Sequence, residues 1–149
     1  MKHSAEYYIE HLEMEPHVEG GYFKECLLEK EERNLWSSIY FMLAKGEVSH
    51  FHRLKSDEVW YYHDGNALTI YMIDEAAKLG LDLEKGEVPQ VLVPKGMIFG
   101  SAMEEEGFSL VGCMVSPCFK YEEFELFERK KLLEKYPEHS DVILRLTRE

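Results

Sequence analysis

The chain has 149 residues, of which 45% are hydrophobic, and a formal net charge of −12. This size and hydrophobic content predict one folded domain over residues 1–149 rather than a disordered chain. Nucleic-acid binding depends on clustered Lys and Arg, so the acidic balance argues against a nucleic-acid partner. No apolar run approaches the ~20 residues of a membrane-spanning helix, the N-terminus has no apolar signal-peptide core, and the cysteines form no Cys-x-x-Cys pair. We therefore expect a cytoplasmic protein with reduced thiols and no membrane contact.

In chain order, the predicted elements are mostly strands with a short helix at each end. Ser4 is the predicted N-cap of a helix that ends near Met14. The predicted strands lie within residues 19–26, 36–43, 46–65 (a central hairpin), 67–73, 88–96 and 108–117. The polar residues 74–85 are predicted to form a loop or a short hairpin. Helical spacing resumes at Glu122 and ends before Pro137, and residues 141–148 add one or two further turns. Short strands with glycine punctuation indicate an all-β sandwich or barrel with terminal helices.

The segment 46–65 is the most informative part of the chain. His50 and His52 are two residues apart, so on a regular strand they share one face. If residues 54–57 form the turn, Glu58, Trp60 and Tyr62 share one face of the returning strand. Imidazole and carboxylate groups that converge from two paired strands can make either a metal site or an acid–base site.

The order of these residues resembles the first motif of the cupin superfamily, which here comprises Gly46, His50, His52, Glu58 and Gly65. Two of its spacings differ slightly from the common pattern. The second cupin motif resembles Gly86 followed by residues 94–96 and Phe99. Phenylalanine therefore stands where cupins usually place a third histidine.

The chain is more specifically similar to an uncharacterised RmlC-like cupin subfamily that is described as related to dTDP-sugar epimerases. The similar pieces are residues 16–23, 52–60, 86–90, 109–113 and 124–126. This resemblance implies a double-stranded β-helix, which is the cupin jelly-roll barrel, and a homodimer. It implies no particular substrate, because members of the subfamily generally have none established.

The resemblance leaves two chemistries open for the barrel interior. Cupin metal sites usually combine three histidines with one glutamate, and here His50, His52 and Glu58 could hold zinc, iron, manganese or nickel with open positions. Phe99 removes the fourth ligand and makes the pocket drier. In metal-free acid–base chemistry, as in the sugar epimerases of this fold, His52 would be the base and Tyr62 the acid. Glu58 would then orient the histidine or carry a second proton.

The candidates for ligand binding are His50, Trp60, Gln90 and Phe99. The first hypothesis is a cupin enzyme that isomerises or epimerises a small, carbohydrate-like molecule. The alternatives are a non-catalytic ligand-binding module or sensor and a metal-dependent cupin enzyme. On a regular strand Tyr61 and His63 point away from Trp60 and Tyr62, and an aromatic outer face of this kind favours cover by a second sheet or a partner subunit.

Overall fold

The computed structural model describes residues 2–28 and 35–148. Its strands are β1 (Glu15–Pro16), β2 (Tyr22–Leu28), β3 (Ser37–Ala44), β4 (Val48–Arg53), β5 (Asp57–Gly65), β6 (Leu68–Met72), β7 (Glu75–Leu79), β8 (Gln90–Val93), β9 (Phe99–Met103), β10 (Phe108–Ser116) and β11 (Glu125–Leu126). Its helices are α1 (Ala5–His11), α2 (Arg129–Lys135) and α3 (Ser140–Arg145), with short 3-10 turns at Leu83–Lys85, Tyr121–Glu123 and Pro137–His139. None of the helices described is long and apolar enough to cross a bilayer.

The strands form two antiparallel sheets that enclose the core. The larger sheet has the strand order β1-β2-β3-β10-β5-β8, and the smaller one has the order β11-β4-β9-β6-β7. Large apolar side chains from both sheets fill the interior, among them Phe41, Leu43, Trp60, Ile70 and Phe99. This architecture confirms the predicted all-β barrel with short terminal helices.

The predicted central hairpin is wrong, because β4 and β5 lie in different sheets. β4 pairs with β9 and β11, whereas β5 pairs with β10 and β8. Residues 54–56 therefore turn a corner between the sheets instead of joining two neighbouring strands. As a result, His52 and Glu58 approach the interior from facing sheets.

A β-bulge in β4 breaks the simple alternation predicted for the two histidines. Ser49 pairs with Ser101 and His52 pairs with Phe99, so three steps along β4 match two steps along β9. The extra residue places both Ser49 and His52 on the inner face, which strict alternation forbids. The side chain of Phe51 packs outside the barrel, in the cluster that contains the buried residues of α2 and α3.

The N-terminal helix matches its prediction better than the C-terminal one does. Ser4 is the N-cap of α1 and its Oγ accepts a hydrogen bond from the Tyr7 N–H at 3.1 Å. The helix predicted from Glu122 starts only at Arg129, because residues 125–126 pair with β4 instead. Pairing satisfies the backbone groups of an open sheet edge, and this outweighs the local helical spacing.

Candidate functional site

A cavity of about 360 Å³ opens between the two sheets, and we call it the barrel cavity. Its walls are largely apolar and include Phe23, Ile39, Leu54, Val115 and Phe124. Acidic and imidazole groups also line it, namely Glu15, His17, Glu19, Glu25, His52 and Glu58. A volume of this size lies near the lower end of the roughly 300–1,000 Å³ range of small-molecule sites.

A buried ion pair joins His52 to Glu19 in this cavity. The Nε2 atom of His52 lies 2.9 Å from Oε2 of Glu19, and both residues are more than nine-tenths buried. The Nδ1–H of His52 donates to the carbonyl oxygen of His50 at 2.6 Å, which leaves Nε2 to face the carboxylate. Because Nδ1 holds a proton, an Nε2 that faces a carboxylate makes the ring an imidazolium.

The electrostatics agree with a charged pair. Burial lowers the pKa of His52, but the adjacent Glu19 carboxylate outweighs burial, and the pKa lies above its usual value. Burial alone would raise the pKa of Glu19, but the attraction of His52 outweighs burial, so the pKa of Glu19 lies below its usual value. The contact is not a well-aligned hydrogen bond, since Oε2 of Glu19 accepts none from the residues described. Both partners can therefore still bond to a ligand.

The loop of residues 17–21 between β1 and β2 carries Glu19 into the cavity. His50 holds the Glu19 carbonyl oxygen with two donors, its backbone N–H at 2.9 Å and its Nδ1–H at 2.8 Å. Gly20 has φ +115°, and a Cβ there would lie 1.9 Å from the carbonyl oxygen of Val48. Only glycine allows the loop to lie this close to β4. The pattern of Glu19 before two glycines therefore determines how the loop enters the barrel.

His17 in the same loop is a neutral neighbour of the ion pair. Its Nδ1 accepts the backbone N–H of Glu19 at 3.0 Å, so the ring proton sits on Nε2. Burial lowers the pKa of His17, and the attraction of Glu19 only partly opposes this. The ring therefore presents one N–H donor without adding a positive charge.

Glu58 is a further buried titratable group that lines the cavity. Burial raises its pKa to about 7, against the lowering effect of His52 and with a further increase from Glu19. Its Oε2 has no hydrogen-bond partner among the residues described, and neither has Nε1 of the buried Trp60. A carboxyl group with a pKa near neutrality can both release and take up a proton, as general acid–base catalysis requires.

The structure brings together two of the predicted site residues, His52 and Glu58, which both line the barrel cavity. Trp60 and Phe99 are buried in the core but are not among the lining residues. The ring of Phe99 packs against that of His52 at a centroid distance of 4.2 Å. These two aromatic residues therefore pack behind the lining residues of the barrel cavity and do not line it themselves.

The other predicted residues lie outside the cavity. Tyr62 donates its hydroxyl hydrogen to the carbonyl oxygen of Gly65 at 2.6 Å. Gln90 is exposed, opposite Tyr61 on the neighbouring strand. His50 acts on the 17–21 loop, as described above, and does not line the cavity.

The residues described contain no group of three or more His, Cys, Asp or Glu side chains that could hold a metal ion. The nitrogen atoms of His52 face His50 and Glu19, and Nδ1 of His50 is also engaged. The predicted ligand set of His50, His52 and Glu58 does not converge in this arrangement and therefore does not fit a metal ion.

Neither Glu19 nor His17 was among the site residues predicted from the sequence. A glycine pair such as 20–21 signals a turn, but it does not show which side chain the turn delivers. Cys113 is buried. It also lines the cavity, where burial raises the pKa of its thiol well above the usual value.

Comparison with known proteins places the chain in a family. The family model described as "Cupin superfamily (DUF985)" matches residues 6–127. Protein SO0799 from Shewanella oneidensis is 54% identical with a TM-score of 0.92, and the match covers 98% of each chain. A hypothetical protein from Leishmania major is 37% identical with a TM-score of 0.90, over 99% of this chain and 100% of that one.

More distant structures agree in fold alone. A cupin 2 conserved barrel domain protein from Rhodopseudomonas palustris has a TM-score of 0.64 at 13% identity, over 89% of this chain and 84% of that one. No curated protein matches the chain. The two sheets, the matched model and these relatives together show that the chain belongs to the cupin superfamily, in the family of unknown function designated DUF985.

Proposed function

We propose that this cupin transfers a proton within a small polar molecule, as an isomerase or epimerase does. The observation that carries the proposal is a buried carboxyl group with a pKa of about 7 in the same cavity as a buried imidazolium–carboxylate pair. The carboxyl group is Glu58, and the pair is His52 with Glu19. Titratable groups whose environments push their pKa values apart are typical of acid–base sites.

The chemistry divides between these groups. The ionised form of Glu58 takes a proton from a carbon next to a carbonyl group and later returns it to another face or position. Meanwhile the imidazolium of His52 donates a hydrogen bond to the carbonyl oxygen, where negative charge develops. Glu19 keeps His52 protonated, and the largely apolar walls strengthen these interactions by limiting water.

The proposal changes the role of one residue expected from the sequence. Tyr62 was the expected acid, but its hydroxyl group is bonded to a main-chain carbonyl outside the cavity. His52 takes over the role of hydrogen-bond donor, and Glu58 becomes the group that moves the proton.

Deuterium exchange tests the proposal across a range of candidate substrates. A panel of reducing sugars, amino sugars and hydroxyketones is incubated with the protein in deuterated water, and NMR follows exchange at the carbon next to the carbonyl. We expect exchange with at least one compound and a loss of about 100-fold or more in Glu58→Gln and His52→Gln. Glu75→Gln changes an exposed carboxyl on β7 and serves as the matched control. Unchanged exchange in a folded Glu58→Gln variant would overturn the proposal.

A ligand-binding module without catalysis is the second candidate, and the position of Tyr62 outside the cavity favours it. The oxygen of Glu58 that has no partner among the residues described would then only hold a ligand. A compound that stabilises the protein against heat but exchanges no deuterium would identify this function.

A further inference from the structure

The charge of the barrel cavity is strongly one-sided. Four acidic side chains line it, namely Glu15, Glu19, Glu25 and Glu58, and no Lys or Arg is found among its lining residues in the described part of the chain. The imidazolium of His52 is matched by Glu19, and His17 is neutral. Even with Glu58 protonated, the carboxyl groups of Glu15 and Glu25 have no Lys or Arg to offset them among the described lining residues.

One buried acceptor atom in the cavity has no partner among the residues described. Oε2 of Glu58 accepts no hydrogen bond from them, whereas Oε2 of Glu19 faces His52 in the ion pair, and both glutamates are more than nine-tenths buried. A buried acceptor without a donor is unfavourable, so a ligand that brings N–H or O–H groups would satisfy it. A phosphate or carboxylate ligand brings acceptors and would add repulsion instead.

Aromatic rings stand beside these acidic groups. Phe119 packs edge-on against Tyr121 with centroids 5.0 Å apart, and Phe124 lies 6.2 Å from Phe119 and 6.4 Å from Tyr121. The planes of the three rings are 66–79° apart, so a group entering the cavity meets a π face from more than one direction. Tyr121 is 63% exposed, which places this cluster at the rim. Aromatic faces attract cations through the ring quadrupole.

We infer that the barrel cavity selects a small organic cation, such as an ammonium- or amidinium-bearing molecule, over anionic ligands such as phosphorylated sugars or nucleotide sugars. This inference names the substrate class of the site and rests on the proposed function for its link to catalysis. The rim aromatics and the exposed Glu15 and Glu25 receive the cation, and the unpaired Oε2 of Glu58 accepts its hydrogen bond. The net charge of −12 draws cations toward the whole molecule.

Binding of a cation is coupled to the proton on Glu58. The groups that face this carboxyl are His52 from β4, Glu19 from the 17–21 loop, Trp60 from β5 and the thiol of Cys113 from β10. A ligand cation beside Glu58 favours its ionised form, so binding releases a proton. Affinity for the cation therefore rises as the pH increases through about 7.

Calorimetry with matched pairs of compounds tests the inference. The probes are choline with its neutral isostere 3,3-dimethyl-1-butanol, glucosamine with glucose, and methylguanidinium with methylurea, and glucose 6-phosphate is the anionic probe. We expect at least one cation to bind about tenfold or more tightly than its neutral partner. That cation should lose about tenfold in affinity, and its pH dependence, in Glu58→Gln, and should bind unchanged to Glu75→Gln.

The aromatic contribution has its own variant. Tyr121→Leu keeps an apolar side chain at the rim but removes the π face, so it should weaken the cation several-fold and its neutral partner much less. The absence of any cation preference across the three pairs, or tighter binding of glucose 6-phosphate, would overturn the inference.

The outcomes separate this inference from the proposed function. Cation preference without deuterium exchange would retain the binding class and reject catalysis. Exchange on neutral or anionic compounds without cation preference would retain catalysis and reject the binding class.

Discussion

The buried carboxyl group of Glu58 makes the stability of the fold depend on pH, and the variant Glu58→Gln should remove that dependence. Burial raises the pKa of Glu58 from 4.5 to about 7, opposed by His52 and assisted by Glu19. Between these two values the folded chain holds a proton that the unfolded chain has released. Stability therefore falls as the pH rises through this window, and the loss is complete above about pH 7.

The magnitude follows from the size of the pKa shift. At ~1.4 kcal/mol per pKa unit, the change from 4.5 to about 7 corresponds to about 3 kcal/mol. Glutamine has nearly the same shape as the protonated carboxyl group and does not ionise. The free energy of unfolding of Glu58→Gln, relative to the wild-type protein, should therefore rise by about 3 kcal/mol between pH 4.5 and pH 8. His52 should stay protonated in the variant, because Glu19 is its stronger partner.

Urea unfolding, followed by tryptophan fluorescence at several pH values from about 4.5 to 8.5, measures this difference directly. Glu75→Gln, in an exposed position on β7, controls for the loss of one acidic charge. If the stability difference between Glu58→Gln and the wild-type protein stayed constant over this range, Glu58 would not carry the raised pKa and the acid–base reasoning would fail.

Three further predictions concern the loop, the tyrosine and the outer face. Gly20→Ala should displace the 17–21 loop and abolish ligand binding, because its Cβ would lie 1.9 Å from a β4 carbonyl oxygen. Gly46→Ala is the control, since Gly46 has φ +84° but a Cβ there would meet no atom within 4 Å, and it should cost only about 1 kcal/mol of stability in the same unfolding assay. Tyr62→Phe should lose about 1 kcal/mol of stability and keep any deuterium exchange, and a collapse of exchange would return Tyr62 to the mechanism. Leu27 and Leu92 are 59% and 54% exposed and lie in one cross-strand row on the outer face of the larger sheet. Because an exposed apolar row of this kind favours burial against a second copy, we expect light scattering to show a homodimer for the wild-type protein and a monomer for Leu92→Glu. A monomeric wild-type protein would contradict the last prediction.

Local patterns in the chain were enough to predict the architecture and part of the site. Alternating apolar residues and glycine punctuation indicated the strands, and a serine before an apolar stripe located the start of α1. The motif that contains His52 and Glu58 predicted that both would face one cavity, and both line it. The strand and helix predictions succeeded because each depends on neighbours within a few residues along the chain. His52 and Glu58 share a cavity for a different reason, since the two sheets that carry them face one another.

Errors arose where a distant strand decided the outcome. The expected hairpin between β4 and β5 is a corner between sheets, and a bulge opposite β9 changes which residues of β4 face inward. Helical spacing from Glu122 gave way to pairing with β4. In each case the backbone hydrogen bonds of another strand outweighed a local preference, and no local pattern records them.

Residue patterns along the chain are sufficient to predict the barrel class, the interior position of His52 and Glu58, and the acidic character of the protein. The pairing of Glu19 with His52 and the position of Tyr62 outside the cavity follow only from the packing of the two sheets. The raised pKa of Glu58 has the same origin, since desolvation depends on every group that closes around the carboxyl. Contacts between residues distant in the chain arise only when the two sheets face one another, and the chemistry of the cavity resides in those contacts.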